Sequence, residues 1–194
     1  MTGPRILPLT GLEPPERAAA QAGAEAIFWE SAGTRNFAEE CERAAYRALW
    51  FGRYLEHAPH AFFLAFAGDG AVAGYLAGSR ISDGPPLPGP DYYRLFLPAL
   101  IARHPAHLHV NVRADRRGAG LGGVLVAAFL AHCAASGIPG AHAVTAAGSR
   151  AAAFFQRCGL ALQAEANWHG RDLVFLAAQR PARQDGSSMS LCPR

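Results

Sequence analysis

The chain contains no lysine. All 18 of its basic residues are arginine, beside heavy use of alanine, glycine and proline, a pattern set by genome composition rather than by function. The net charge of only +3, with no basic run, gives no electrostatic footprint for nucleic acid. The four cysteines, Cys41, Cys133, Cys158 and Cys192, show neither CxxC nor metal-ligand spacing, so no disulfide framework and no metal is expected. The longest apolar stretch, residues 122–135, is interrupted by His132 and is too short to cross a membrane. Nothing at the N terminus resembles a signal peptide, and a cytoplasmic location is expected. Between Arg116 and Ala164 there is not one Asp or Glu, an absence that decides a cofactor question below.

What is present is apolar mass: 51% of 194 residues are hydrophobic, enough to bury one substantial core and short for two. A single domain over residues 1–180 and a polar tail over 181–194 are expected. Residues 5–10 read as an opening strand. Pro14-Pro15 and Glu16 then open an alanine-rich helix to Trp29. A second helical pattern covers 37–57, with Ala44, Ala45, Leu49, Trp50 and Leu55 on its apolar face. Residues 61–67 and 71–77 form a hairpin around Gly68-Asp69-Gly70. The segment SDGPPLPGP, 82–90, is a loop, and a helical period resumes over 92–103.

Residues 107–113 alternate cleanly. Leu108, Val110 and Val112 lie on one face of a strand, and His107, His109, Asn111 and Arg113 on the other. A glycine loop and an apolar helix over 124–136 follow, then a strand over 141–145, a helix over 149–158, and a last strand pair, 160–165 and 173–177, around residues 167–171.

The loop, RRGAGLGGV, matches G-x-G-x-x-G through Gly118, Gly120 and Gly123. Glycines between a strand and a helix present bare N–H groups and a helix N terminus to phosphate oxygens. A dinucleotide fold requires an acid about twenty residues later for the ribose hydroxyls, and here it is missing. Arg150 could replace it for NADP, but two helices and an antiparallel hairpin upstream do not suit a doubly wound sheet. Coenzyme A needs amides and arginines for its phosphates, which Arg113, Arg116 and Arg117 could supply, and an open strand edge for its amide arm.

VRADRRGAGLG, 112–122, resembles the cofactor motif of the GNAT superfamily of N-acetyltransferases, Gln/Arg-x-x-Gly-x-Gly/Ala, through Arg117, Gly120 and Gly122. AAAFFQRCGL, 151–160, resembles that family's second signature, and the order of elements over about residues 5–178 agrees. PAHLHVNV, 105–112, and the segment before it resemble bacterial relatives of the acetyltransferase-like C-terminal domain of O-GlcNAcase.

The resemblance implies an α/β (α+β) fold with a central mixed, mostly antiparallel sheet flanked by helices and a strand splayed at the cofactor site. It implies acetyl-CoA as cofactor, held by Val112, Arg113, Ala114, Arg117, Gly118, Ala119, Gly120, Leu121, Gly122, Ser149 and Phe155, and a primary amine, small molecule or peptide, as acceptor. The Val112 N–H would be the oxyanion donor. The family usually has Tyr where Phe155 stands, Asn at Gly148 and Pro at Ala114. Without the tyrosine hydroxyl, a catalytically weak or inactive acetyl-CoA-binding protein is the alternative.

For the base, the polar strand face offers His109 first and His107 second, with Asn111 positioning water or substrate. A histidine on a sheet face is ordinarily a buried group bonded to a neighbouring helix, and that reading stands beside the catalytic one. Asp91, Tyr92, Tyr93 and Trp168 are candidates for the acceptor groove, or simply packing groups. A monomer or homodimer is expected.

Overall fold

The computed structural model describes residues 4–34, 36–87, 90–96 and 98–179; the polar tail lies outside them. The chain opens with β1 (Arg5–Pro8), α1 (Pro14–Ser31) and a long helical stretch formed by α2 (Glu40–Arg47), a π-helical turn (Ala48–Gly52) and α3 (Arg53–His57). The hairpin β2 (Phe62–Phe66) and β3 (Val72–Ser79) follows, then a 3-10 turn (Asp91–Leu95) and α4 (Pro98–Arg103). The second half is β4 (Ala106–Val112), α5 (Leu121–Ala135), β5 (Gly140–Ala146), α6 (Arg150–Arg157), β6 (Ala161–Trp168) and β7 (Arg171–Gln179).

The seven strands make one sheet in the order β1-β2-β3-β4-β5-β7-β6. Every neighbouring pair is antiparallel except β4 and β5. Two strands at the centre that run the same way must be joined by a crossover, and α5 supplies it. On one face, Phe28 of α1 stacks on Phe51, whose ring meets Tyr75 of β3 edge-on. On the other face α5 buries Leu125 and Phe129, and α6 lies beside it. Removing each such aromatic side chain from water contributes about 2–3 kcal/mol.

Three local expectations change. At the hairpin the loop is the expected 68–70, closed by Gly70 N–H on Ala67 C=O, but of the Asp69-Gly70 step only Gly70 has positive φ, +81°. The helical period over 92–103 is two pieces, because Phe96 is extended and Pro98 has no N–H to continue a ladder. In the 37–57 stretch Ala44 and Ala45 face solvent, while Phe51 and Tyr54 are buried. The π turn holds an extra residue, so consecutive side chains both reach the sheet: Trp50 meets His109 with ring centroids 5.0 Å apart, and Phe51 meets Tyr75 at 5.4 Å.

Candidate active site

β4 and β5 pair only at Ala106 with Ala141 and at His107 with His142. Both strands then run on, to Val112 and Ala146, without further pairing, so the sheet opens into a wedge. Which backbone groups face that wedge follows from parity. Arg113 N–H bonds to Ala73 C=O of the β3 side, so the odd residues of β4 spend their backbone groups on β3. The even residues, Val110 and Val112, therefore turn theirs into the opening. The expected splayed strand is present, and its register against β3 is continuous, with no bulge.

The glycine loop stands at the mouth of the wedge. Gly118 and Gly120 have φ of +84° and +79°, and Gly120 is the residue before α5, a left-handed position that any side chain would strain. Its backbone aims the first amides of a 15-residue helix outward, where an anion can collect them. At Gly122 a Cβ would lie 3.0 Å from the Phe154 ring, so its small size lets α5 and α6 close together. A Cβ on Gly123 would meet nothing, and that residue is only a small one in the first turn.

The arginines divide. Arg113 is held by Asp115 in a two-pronged pair at 2.7 and 3.1 Å, and Arg116 lies 3.6 Å from the same carboxylate. Arg117 instead donates to Val112 C=O at 3.1 Å and reaches Ser31 Oγ at 3.5 Å, which sets its guanidinium across the mouth of the wedge. Ala114 N–H bonds to Glu30 of α1. Ser149 caps α6 by accepting from Ala152 N–H, and its hydroxyl is 3.4 Å from that of Thr145.

Inside the wedge is a cavity of about 230 Å³. Its sheet side is Leu108, His109, Val110 and Asn111 of β4 with Val144 and Thr145 of β5. One end is closed by Phe28, Tyr46 and Trp50, and the other by Ala151 and Phe155 of α6. The opening thus communicates with both faces of the sheet. Asn111 donates its amide to Tyr75 Oη at 2.8 Å, which leaves the amide oxygen as the acceptor.

His109 belongs to a chain of hydrogen bonds whose proton positions can be worked out from one end. Ser82 Oγ is 2.6 Å from Pro105 C=O, and a carbonyl only accepts, so the serine proton points there. Ser82 Oγ then accepts from His107 Nδ1 at 2.8 Å. His107 is fully buried and its pKa is driven well below the ordinary imidazole value by desolvation, so it is neutral and its Nε2 accepts the Tyr54 hydroxyl proton at 2.8 Å. Tyr54 Oη in turn accepts from His109 Nε2 at 3.0 Å. By elimination the lone pair of His109 is on Nδ1, the nitrogen outside the chain. Burial pushes His109 down to about 4, so it too is neutral at pH 7.

His109, Asn111, Val112, Arg117 and Phe155 therefore converge on the wedge, and the loop glycines adjoin it. The proposed acceptor residues are elsewhere. Asp91 is exposed and 3.9 Å from Arg94. Tyr93 is buried against His107 and His142, at 5.8 and 5.0 Å. Trp168 ends β6 and meets Tyr92 at 6.4 Å over the β5-β7-β6 part of the sheet. Sequence reasoning missed Tyr46, Tyr54 and Ser82. The first two stand at i and i+8 with Trp50 between, an aromatic stripe with polar tips that was a visible signal. Ser82, in an irregular loop, had none.

An open sheet with a phosphate-type glycine loop at the mouth of a strand wedge defines an α/β protein whose two central strands leave an edge suited to an extended, phosphate-bearing ligand. The chain belongs to the acetyltransferase (GNAT) family, whose model matches residues 22–160, and it has that family's fold. Among solved structures, SsHAT aligns with 21% identity and a TM-score of 0.66 over 92% of this chain and 98% of its own. The NatC complex bound to Gag peptide and CoA aligns at 12% and 0.61, covering 92% and 99%. The phosphinothricin acetyltransferase of Sinorhizobium meliloti in complex with AcCoA aligns at 18% and 0.56, covering 92% and 89%. At these identities the likeness carries the fold. A search of curated proteins finds no significant match.

Proposed function

We propose that the protein transfers an acetyl group from acetyl-CoA to a primary amine by direct attack inside the β4–β5 wedge. The observation that carries this is the backbone edge of Val110 and the Val112 N–H, left without a strand partner beside the glycine loop; the Val112 carbonyl is taken by Arg117. An extended amide chain is the ligand that such an edge binds, and phosphates are what the loop amides and Arg117 bind, so the residues fit coenzyme A.

Bound there, acetyl-CoA supplies a thioester carbon. Val112 N–H donates to the carbonyl oxygen as negative charge gathers on it. Asn111 Oδ1 accepts one amine hydrogen and orients the nitrogen. As the N–C bond forms, the second proton on nitrogen becomes acidic and passes to His109 Nδ1, while Tyr54 keeps the opposite nitrogen protonated. The C–S bond then breaks with its electron pair on sulfur. Phe155 has no proton to give, so the thiolate departs as such and is protonated by water. A protein that binds without turnover, the alternative raised by Phe155, finds no support in the family match or the fold.

The same reading takes the described elements as one acetyltransferase domain within residues 1–180. It assigns a cytoplasmic location, a monomer or homodimer, and closer kinship with the O-GlcNAcase-associated branch, supported by residues 92–112. No helix among the described residues is long and apolar enough to cross a membrane. Calorimetry with acetyl-CoA and thiol release with a panel of amines test the proposal. Saturable binding and amine-dependent release are expected; absence of acetyl-CoA binding refutes it.

A further inference from the structure

We infer that the acceptor is a small amine whose body is aromatic or aliphatic and carries no second charge. This rests on the acetyl-transfer reading above and narrows it to a substrate class.

The cavity that adjoins His109 has, among the described residues, no Asp, Glu or Arg in its lining. The charges behind its aromatic end are already paired: Arg47 grips Glu25 at 2.6 and 2.7 Å, and Arg43 lies over the Trp29 ring at 4.5 Å. At the loop end Arg117 and Glu30 are engaged with Val112 C=O and Ala114 N–H, where the cofactor phosphates would lie. His109 is neutral and offsets neither a carboxylate nor a phosphate. A second charge on the acceptor would enter without a partner, a burial that proteins avoid unless it is paired.

The α1–π-turn end of the cavity is instead aromatic: Tyr46 and Trp50 are half-buried there, with Phe28 buried behind them. Phe28, Tyr46 and Trp50 form a continuous patch, with Phe28 and Tyr46 centroids 5.7 Å apart and Tyr46 and Trp50 6.4 Å apart. Trp50 presses edge-on to His109, so this patch ends at the proposed base. A ring or alkyl chain held on it gains dispersion and area burial, and the faces tolerate an arriving ammonium before it loses its proton. The volume fits too: dry apolar cavities of about 150 Å³ hold benzene, and the cavity here is about 230 Å³. That space opens to solvent and is shared with the β4–β5 edge proposed for the coenzyme A arm, so what it leaves for the acceptor is room for a group of about benzene size.

The test is two matched pairs of acceptors, compared as kcat/KM per free-base amine by thiol release: phenethylamine against phenylalanine, and butylamine against 1,4-diaminobutane. Acetyl-CoA binding is measured separately by calorimetry. The uncharged body is expected to win each pair by at least about tenfold. Ala32→Asp, which adds a carboxylate to the lining, is expected to shift the second pair by about tenfold toward the diamine. Equal or better use of phenylalanine or the diamine by the wild type overturns the inference, as does acetyl-CoA binding with turnover of none of the four. Failure to bind acetyl-CoA overturns the acetyl-transfer reading itself.

Discussion

Tyr54→Phe removes one oxygen atom and should separate a positioning role from a packing one. The ring stays, wedged edge-on against His107 and His109 with centroids 5.7 and 5.6 Å away. Two groups lose their partner: the His107 Nε2 lone pair, fully buried, and the His109 Nε2–H, which borders the cavity. An unsatisfied buried polar group costs about 1–3 kcal/mol, and His109 can recruit cavity water, so a loss of about 2–4 kcal/mol in unfolding free energy is expected. The catalytic consequence is separate. Freed of Tyr54, the His109 ring can turn and can carry its proton on Nδ1, the atom proposed above to accept one. A fall of about 10–100-fold in kcat, with unchanged KM for acetyl-CoA, is expected.

Urea denaturation reads the first effect and steady-state thiol release the second. The decisive measurement is a double-mutant cycle with His109→Ala. If Tyr54 acts through His109, the double variant should be no slower than His109→Ala alone. Additive losses in kcat, or a full loss of stability with kcat intact, would refute the proton assignment drawn from Pro105 onward.

Phe155→Tyr should raise kcat several-fold without changing acetyl-CoA affinity, because a phenol in the cavity wall can protonate the leaving sulfur; an unchanged kcat would show that thiolate departure is not limiting. Gly120→Ala should cost about 1–2 kcal/mol of stability and weaken acetyl-CoA binding, since φ is +79° at the loop; Gly123→Ala, with open space around its Cβ, should instead stabilise by about 0.5–1 kcal/mol, both read by urea midpoints. Burial holds His142 down at about 4, and His107 and His109 also below the ordinary value near 6.5. The unfolded chain therefore binds more protons between these values, so stability should be complete above about pH 6.5 and fall toward pH 4, His142 alone accounting for about 3 kcal/mol. A urea midpoint unchanged between pH 7.5 and pH 5 would contradict that.

How legible this was in the sequence differs by element. β4 was readable because a period of two put Leu108, Val110 and Val112 against His107, His109 and Asn111, and α5 because glycines and an apolar run bound it. The site chemistry was half readable. The loop glycines and His109 carry local signals, whereas the partner that fixes the His109 tautomer is 55 residues away. The face of the 37–57 helix was misread for a physical reason: a π turn breaks the 3.6 period, so a stripe counted from Ala44 and Ala45 drifts away from the one that meets the sheet. Of the residues read as acceptor candidates, Tyr93 lies in the core and not in the cavity lining. Tyr93 looked like a groove residue because it follows a proline loop, but Ser82 bonds to His107 and Tyr93 packs against His107 and His142.

The placement of Tyr93 follows from the wedge. The wedge forms because β5 pairs with β4 at two positions only, and the apex is then packed by His107 and His142 with Tyr93 against both and Phe175 stacked 4.4 Å from His142. Of the two imidazoles only His107 is satisfied at both nitrogens, by Ser82 and Tyr54; His142 Nδ1 donates to the His104 carbonyl, while its Nε2 is buried without a partner among the described residues. Ser82 and Tyr93 are buried at this apex and do not line the cavity. The line through Tyr54 instead ends at the cavity on His109 and so turns a packing requirement into an oriented lone pair beside the aromatic wall.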